Sequence, residues 1–199
     1  MPDDVNAKIT AALERLAVAL HKSLWDAAYA QDLSATQAQM LLYLISLDDS
    51  EVSMSELASR FGLTLPTVSD AVRSLVEKGL VEQRRAPRDG RIRVVALTPA
   101  GRRRARHLQH WADAIRQQVA ALDPNTKGTF LACLLDLIAR LQRAGLVSLT
   151  RQCQTCLYFQ PHRYSNPDAP HHCGLLNQPL HLTELRLHCP DHTTLPTSP

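Results

Sequence analysis

Residues 53–98 read SMSELASRFGLTLPTVSDAVRSLVEKGLVEQRRAPRDGRIRVVALT, and this stretch constrains the fold more than any other. Two short amphipathic helices are predicted to meet at Gly62-Leu63-Thr64. In the first, Ser55 is the expected N-cap, and Leu57, Ala58 and Phe61 recur three to four residues apart on one face. Gly62 suits the left-handed conformation that ends such a helix. Thr64 is the natural N-cap of the second helix. Pro66 fits its first turn, where the missing N–H has no helical partner. In that second helix Val68, Val72 and Leu75 share a face and point to a core. Pro66, Asp70, Arg73 and Glu77 lie opposite, with Thr67, Ser69 and Ser74 on the flanks. Gly79-Leu80-Val81 then leads into two basic strand-like runs joined by Ala86-Pro87-Arg88-Asp89-Gly90.

Helix, tight turn, helix and β-hairpin make up a winged helix-turn-helix, a device that lays its second helix in the DNA major groove. An outer face of small hydrogen-bonding side chains is what reading base edges requires, although an ordinary solvated helix face can look the same. Charge decides between the two. From Arg73 to Arg106 eleven Lys and Arg face three acids, a local charge of +8, whereas the whole chain carries only +3. Solvated faces usually mix both signs, and this one is an electrostatic footprint for phosphate. The expected DNA-contacting residues are Thr64, Pro66, Thr67, Ser69, Asp70, Arg73 and Ser74 on the helix, with Arg84, Arg85, Arg88 and Arg91 on the hairpin.

Val68 to Val81, Pro87-Arg88-Asp89-Gly90-Arg91 and Leu97-Thr98-Pro99-Ala100-Gly101-Arg102 together resemble the MarR family of dimeric transcriptional regulators. The resemblance spans roughly residues 5–145. Its most specific parts are the Lys-Gly-Leu-Val exit, the Asp-x-Arg wing and the Leu-Thr-x-x-Gly strand end. It implies a mainly helical chain with a small β-hairpin wing, a homodimer built from terminal helices, and a pseudo-palindromic DNA operator. Family members often place Arg early in the recognition helix and an acid three residues later. Here Asp70 precedes Arg73, so no operator sequence carries over.

The remaining chain is read around that module. A hydrophobic content of 45% with 21% charged residues marks a globular chain. Met1-Pro2-Asp3-Asp4 is acidic and no apolar run follows it, so no signal peptide is expected. Nothing approaches the roughly 18 apolar residues of a membrane span, and a cytoplasmic protein is expected. Residues 4–31 form a helix with Val5, Ile9, Leu13, Leu16, Leu20 and Leu24 at about 3.5-residue spacing, the pattern of packing against a partner helix. Ser34 or Thr36 caps a second helix through Leu47, followed by an Asp48-Asp49-Ser50 loop. Two further helices are expected at 99–122 and 126–144, the latter with Phe130, Leu134, Leu137, Ile138 and Leu141 inward and Cys133 in the core. The expected domain is therefore 1–146, with its winged core at 34–98 and dimerisation helices at 4–31, 99–122 and 126–144.

After Gly145 the composition changes. Residues 151–199 hold four of the five Cys and six of the nine His but no long amphipathic pattern, so burial alone cannot hold this segment. Cys153-x2-Cys156 is a knuckle from which two thiolates reach one metal; Cys173 and Cys189 complete a set of four. Disulfides are rare in the cytosol, and reversible redox thiols or disorder are the competing readings. An iron–sulfur cluster is placed slightly ahead of zinc, since the second cysteine pair is split wide, unlike the two knuckles of a zinc ribbon, and Pro190 follows the last cysteine. His171, His172, His188 and His192 flank the ligands as substitutes or as supporting hydrogen-bond donors. Short strands are expected at 157–159 and 185–187. The tail at 147–199 is thus a metal-binding appendage that senses redox or metal state. The alternative is a regulator answering a small aromatic effector, as the resemblance allows, with zinc as a staple. No phosphate-cradling Gly-rich loop is present, and the knuckle lacks the βαβ context of a thioredoxin-like oxidoreductase, so no enzyme is expected.

Overall fold

The computed structural model describes residues 4–47, 51–85, 92–148 and 151–195. The chain divides into two compact units, Met1–Gln117 and Gln118–Pro199. The first unit contains helices α1 (Val5–Tyr29), α2 (Ala35–Ile45), α3 (Met54–Phe61), α4 (Leu65–Glu77) and α5 (Pro99–Leu108), with α6 (Asp113–Ala120) running across its end. Strands β1 (Val52–Ser53), β2 (Val81–Arg85) and β3 (Arg93–Leu97) form an antiparallel sheet in the order β1-β3-β2. This is the winged helix-turn-helix expected from the sequence.

Local chemistry sets each boundary. Ser34 caps α2 in a reciprocal box with Gln37, satisfying two end groups at once. Ser53, not the expected Ser55, caps α3 by accepting from the Glu56 N–H at 3.1 Å. The β1 bridge to β3 ends at Ser53, so its hydroxyl is the one placed to take the first free N–H. Gly62 closes α3 at φ +62°, and Thr64 starts α4. Val68, Val72 and Leu75 are buried against Met40, Leu41, Leu57 and Val95, as the helical period required. The helix expected at 99–122 is broken by a 3-10 turn at Gln109–Ala112.

A set of short hydrogen bonds ties the wing to the helices beside its core packing. The Thr98 hydroxyl donates to the Gly79 carbonyl at 2.7 Å and accepts from the Gly101 N–H at 3.0 Å, while the Thr98 N–H donates to the Leu80 carbonyl at 3.1 Å. A Cβ on Gly101 would stand 1.8 Å from the Leu80 carbonyl oxygen. The Leu-Thr-x-x-Gly sequence is therefore a cap, a clamp and a close approach in five residues.

The second unit starts with α7 (Pro124–Arg143), capped by Asp123, which accepts from the N–H groups of Asn125 and Thr126 at 3.0 Å each. A small antiparallel sheet follows, β4 (Phe159–Gln160), β5 (His171–Cys173) and β6 (Gln178–Leu180), in the order β4-β5-β6. Leu135, Leu180 and Leu185 form its core. The buried Gln152 amide donates to the Leu135 carbonyl at 3.2 Å, tying the first knuckle to α7. Four expectations change here. The helix begins at Pro124 rather than Thr126, because Asp123 caps it. Cys133 is exposed, not in the core. Phe130 is exposed and Leu134, Leu137, Ile138 and Leu141 are only half-buried, because this unit packs against the neighbouring stripe at Leu131, Ala132 and Leu135. No strand forms at 185–187; Leu182–Glu184 turn as a 3-10 helix and deliver Leu185 to the core. The last helix, grouped from sequence with residues 1–146, thus packs with the tail.

Gly101→Ala should destabilise the fold by about 2 kcal/mol or more, because rigid backbone faces the new methyl. Gly79→Ala, at φ +67° in open space, should cost about 1 kcal/mol. Chemical denaturation of both variants checks the order.

Candidate nucleic-acid interface and cysteine centre

Helix α4 buries Val68, Val72 and Leu75 and leaves Thr64, Pro66, Thr67, Ser69, Asp70 and Arg73 exposed, with Ser74 half-buried. One face is anchored and the other is open, which is the requirement for a reading helix. The Thr64 and Thr67 hydroxyls lie 2.9 Å apart at its N-terminus, fixing the first turn. Arg73 pairs with Asp70 at 2.5 Å, both side chains being about two-thirds exposed. The sequence treats these two as separate readers; the fold couples them, since residues three apart on a helix are neighbours. Leu65, 52% exposed at the first helical position, was not foreseen. It is an apolar group on the same open end.

The basic stretch separates into structural and available charges. Lys78 reaches the Asp32 carboxylate at 3.2 Å, and Arg104 donates to the Gln31 carbonyl at 2.5 Å, so both secure the α1–α2 link. Arg84, expected at DNA, is engaged by Glu51 and lies 3.9 Å from Glu82. Arg85 is exposed and sits directly opposite Arg93 across the β2–β3 ladder. Like charges directly opposite destabilise a sheet, and a bound anion would relieve this pair. Arg93 was absent from the expected contacts; strand register, not composition, picks it out. Arg88 and Arg91 lie outside the described residues.

The four tail cysteines are brought together from three segments. Cys153–Thr155 form a 3-10 turn closed by the Cys156 N–H donating to the Cys153 carbonyl at 2.9 Å. The Cys153 N–H donates to Arg186 at 3.0 Å and the Cys189 N–H to Arg151 at 2.8 Å, stitching the first and last segments. Cys173 pairs with Phe159 in the β4–β5 ladder. All four are free thiols, and Cys156 is buried. Burial pushes the Cys153 thiol up, the Arg186 N–H to its sulfur pulls it down, and Cys189, Cys173 and Cys156 each add to the rise. Among the described residues no three His, Cys, Asp or Glu side chains are gathered so as to hold a metal ion.

The neighbouring histidines have other partners. His171 accepts from the His162 N–H at 3.2 Å, His172 and the Tyr164 hydroxyl lie 2.9 Å apart, and His192 bonds the Thr155 hydroxyl at 3.0 Å. Burial pushes the His171 and His192 imidazoles down, with the charge of His162 adding to the effect on His171. His188 has interactions of its own.

An anchored helix with an open polar face, beside a three-stranded wing, defines the class of winged helix-turn-helix proteins. Residues 31–92 match the model of the MarR family. Over these residues the module is similar to that of the MarR family. The HTH-type transcriptional regulator YdgJ of Bacillus subtilis is 28% identical over 110 residues, 55% of this chain and 64% of its own length. The match thus spans just under two thirds of that relative. MepR of Staphylococcus aureus in its DNA-binding conformation is 20% identical, covering 67% of this chain and 98% of its own with a TM-score of 0.61. CouR of Rhodococcus jostii, bound to p-coumaroyl-CoA, is 23% identical over 69% of this chain and 96% of its own, with a TM-score of 0.58. At these identities the two solved structures share the fold.

Asp70→Ala and Arg73→Ala should each change unfolding free energy by less than about 0.5 kcal/mol, since an exposed pair contributes little to stability. Thermal and urea unfolding of the two variants measures this. A larger loss would make the pair structural.

Proposed function

We propose that the protein is a dimeric, sequence-specific DNA-binding regulator of transcription, acting as a repressor, whose cysteine-rich tail carries a metal centre that senses redox or metal state. The observation that carries the DNA-binding part is the open face of α4, continuous in sequence with strands that set Arg85 opposite Arg93. Small hydroxyl side chains read base edges, and the arginines hold phosphate. Arg84 serves this face only if Glu51 releases it; Arg88 and Arg91 remain expected phosphate contacts. Dimerisation is supported by α1, where Val5, Ile9 and Leu16 are about half exposed on one stripe. An apolar row of that length in water calls for a partner helix. A two-fold dimer reads a pseudo-palindromic operator. Among the described residues no helix is long and apolar enough to cross a membrane, and a regulator of this kind works in the cytoplasm.

The second reading is a small aromatic effector with a structural zinc in the tail. CouR, seen with p-coumaroyl-CoA, is the fold relative that favours it.

Salt titration of DNA affinity tests the interface. Arg85→Ala and Arg93→Ala should weaken binding to every DNA sequence alike and lower the slope of log affinity against log salt by about one unit each. Arg84→Ala should have the smaller effect, because Glu51 already engages that guanidinium. Unchanged slopes for Arg85 and Arg93 would remove the wing strands from the interface.

A further inference from the structure

We propose that Arg73 reads a guanine in the major groove and that Asp70 is a positioning residue, acting on DNA only through that arginine. The inference deepens the reading of α4 as the DNA-reading helix and rests on it.

Charge on the open face of α4 poses the question. Arg73 is the one basic residue between Leu65 and Glu77, and Asp70 and Glu77 are the acids. A carboxylate turned toward DNA is repelled by phosphate, so it costs affinity unless it bonds a base donor or is neutralised. The fold neutralises it. Arg73 Nη2 donates to Asp70 Oδ1 at 2.5 Å. This pair is not what holds the helix in place: both side chains are about two-thirds exposed, and exposed pairs contribute little to stability. The buried row of Val68, Val72 and Leu75 anchors α4 without it.

The choice of partner sets a direction. Arg73 has one acid a turn before it, Asp70, and another a turn after it, Glu77. Pairing with Asp70 draws the guanidinium back toward the helix N-terminus. That is the end whose side chains meet base edges when a helix of this class docks. It is also the end where the Thr64 and Thr67 hydroxyls lie 2.9 Å apart. Exposed Ser69 precedes Arg73 by four residues and so lies beside it on the same face.

Donor geometry then selects the base. A guanidinium carries five N–H donors in a planar fork. One Nη2 hydrogen goes to Asp70, which leaves the other Nη2 hydrogen and both on Nη1. Two such N–H groups match the O6 and N7 acceptors of guanine, and no other base presents two acceptors side by side in the major groove. Fixing a long side chain before binding also removes rotamer entropy that the contact would otherwise cost. Neighbouring cations are committed to the protein itself, Lys78 to Asp32, Arg104 to Gln31 and Arg84 to Glu51.

A DNA site selected in vitro by the full-length protein provides the probe. Each of its guanines is replaced in turn by 7-deazaguanine, which lacks the N7 acceptor. One guanine in each half-site should then cost about tenfold or more in affinity. Arg73→Ala should lose about as much on the unmodified site and be indifferent to that replacement. Asp70→Asn should bind non-specific DNA at least as well as the wild type, since a negative charge is gone, yet lose most of its discrimination at the same guanine. An Arg73→Ala protein that responds to the replacement as the wild type does would take the arginine off the base. Wild-type discrimination in Asp70→Asn would end the positioning role. A wild-type protein indifferent to every replacement, on a site it selects and binds, would overturn this proposal alone. Failure to bind any DNA would sink the reading of α4 and this proposal with it.

Discussion

The structure of the first unit depends on the close approach of Gly101 to the Leu80 carbonyl. With a Cβ 1.8 Å from that oxygen, no other residue can stand there without moving the backbone. Thr98 completes the contact by bonding Gly79 on one side and capping α5 on the other. Since Gly79 ends α4 and Leu80 begins the wing, one junction sets the reading helix, the strands and α5 relative to one another. The cost is small, because glycine and a hydroxyl do the positioning and no buried charge is involved. The open polar face of α4 can then remain unoptimised for stability, since the buried row beneath it holds the helix.

The tail meets a different constraint. Its core is three buried leucines with a few half-buried neighbours, set among strands of two or three residues. Burial on that scale does not offset the conformational entropy of ordering some forty residues. Backbone stitching around the four cysteines supplies part of what is missing, and the proposed metal centre would add to it. If the tail holds a metal as proposed, the Gln152–Leu135 bond would couple its occupancy to the order of α7. That coupling is the physical basis on which the tail could act as an input.

Much of this was legible from residues alone because local rules governed it. The buried row of α4, the caps at Ser34 and Thr64 and the Gly62 turn follow from period and capping chemistry. Errors arose where tertiary neighbours decided. Ser53 displaced Ser55 as a cap because a β-bridge ends beside it. Two apolar stripes run along α7, and sequence cannot say that the tail takes the Leu135 stripe and leaves Phe130 and Cys133 in water. Charge counting singled out the basic stretch but could not foresee that Glu51 engages Arg84, nor that register sets Arg93 against Arg85. The first two turns of β-structure in the tail were too short to show a period of two.

The central claim is that α4 enters the major groove in both subunits of a dimer. Guanine N7 lies on that groove alone, so methylation interference on a selected DNA site tests the claim most directly. Binding should be blocked by N7 methylation in two patches related by a two-fold axis and about one helical turn apart. Full binding to DNA methylated throughout both patches would contradict the account.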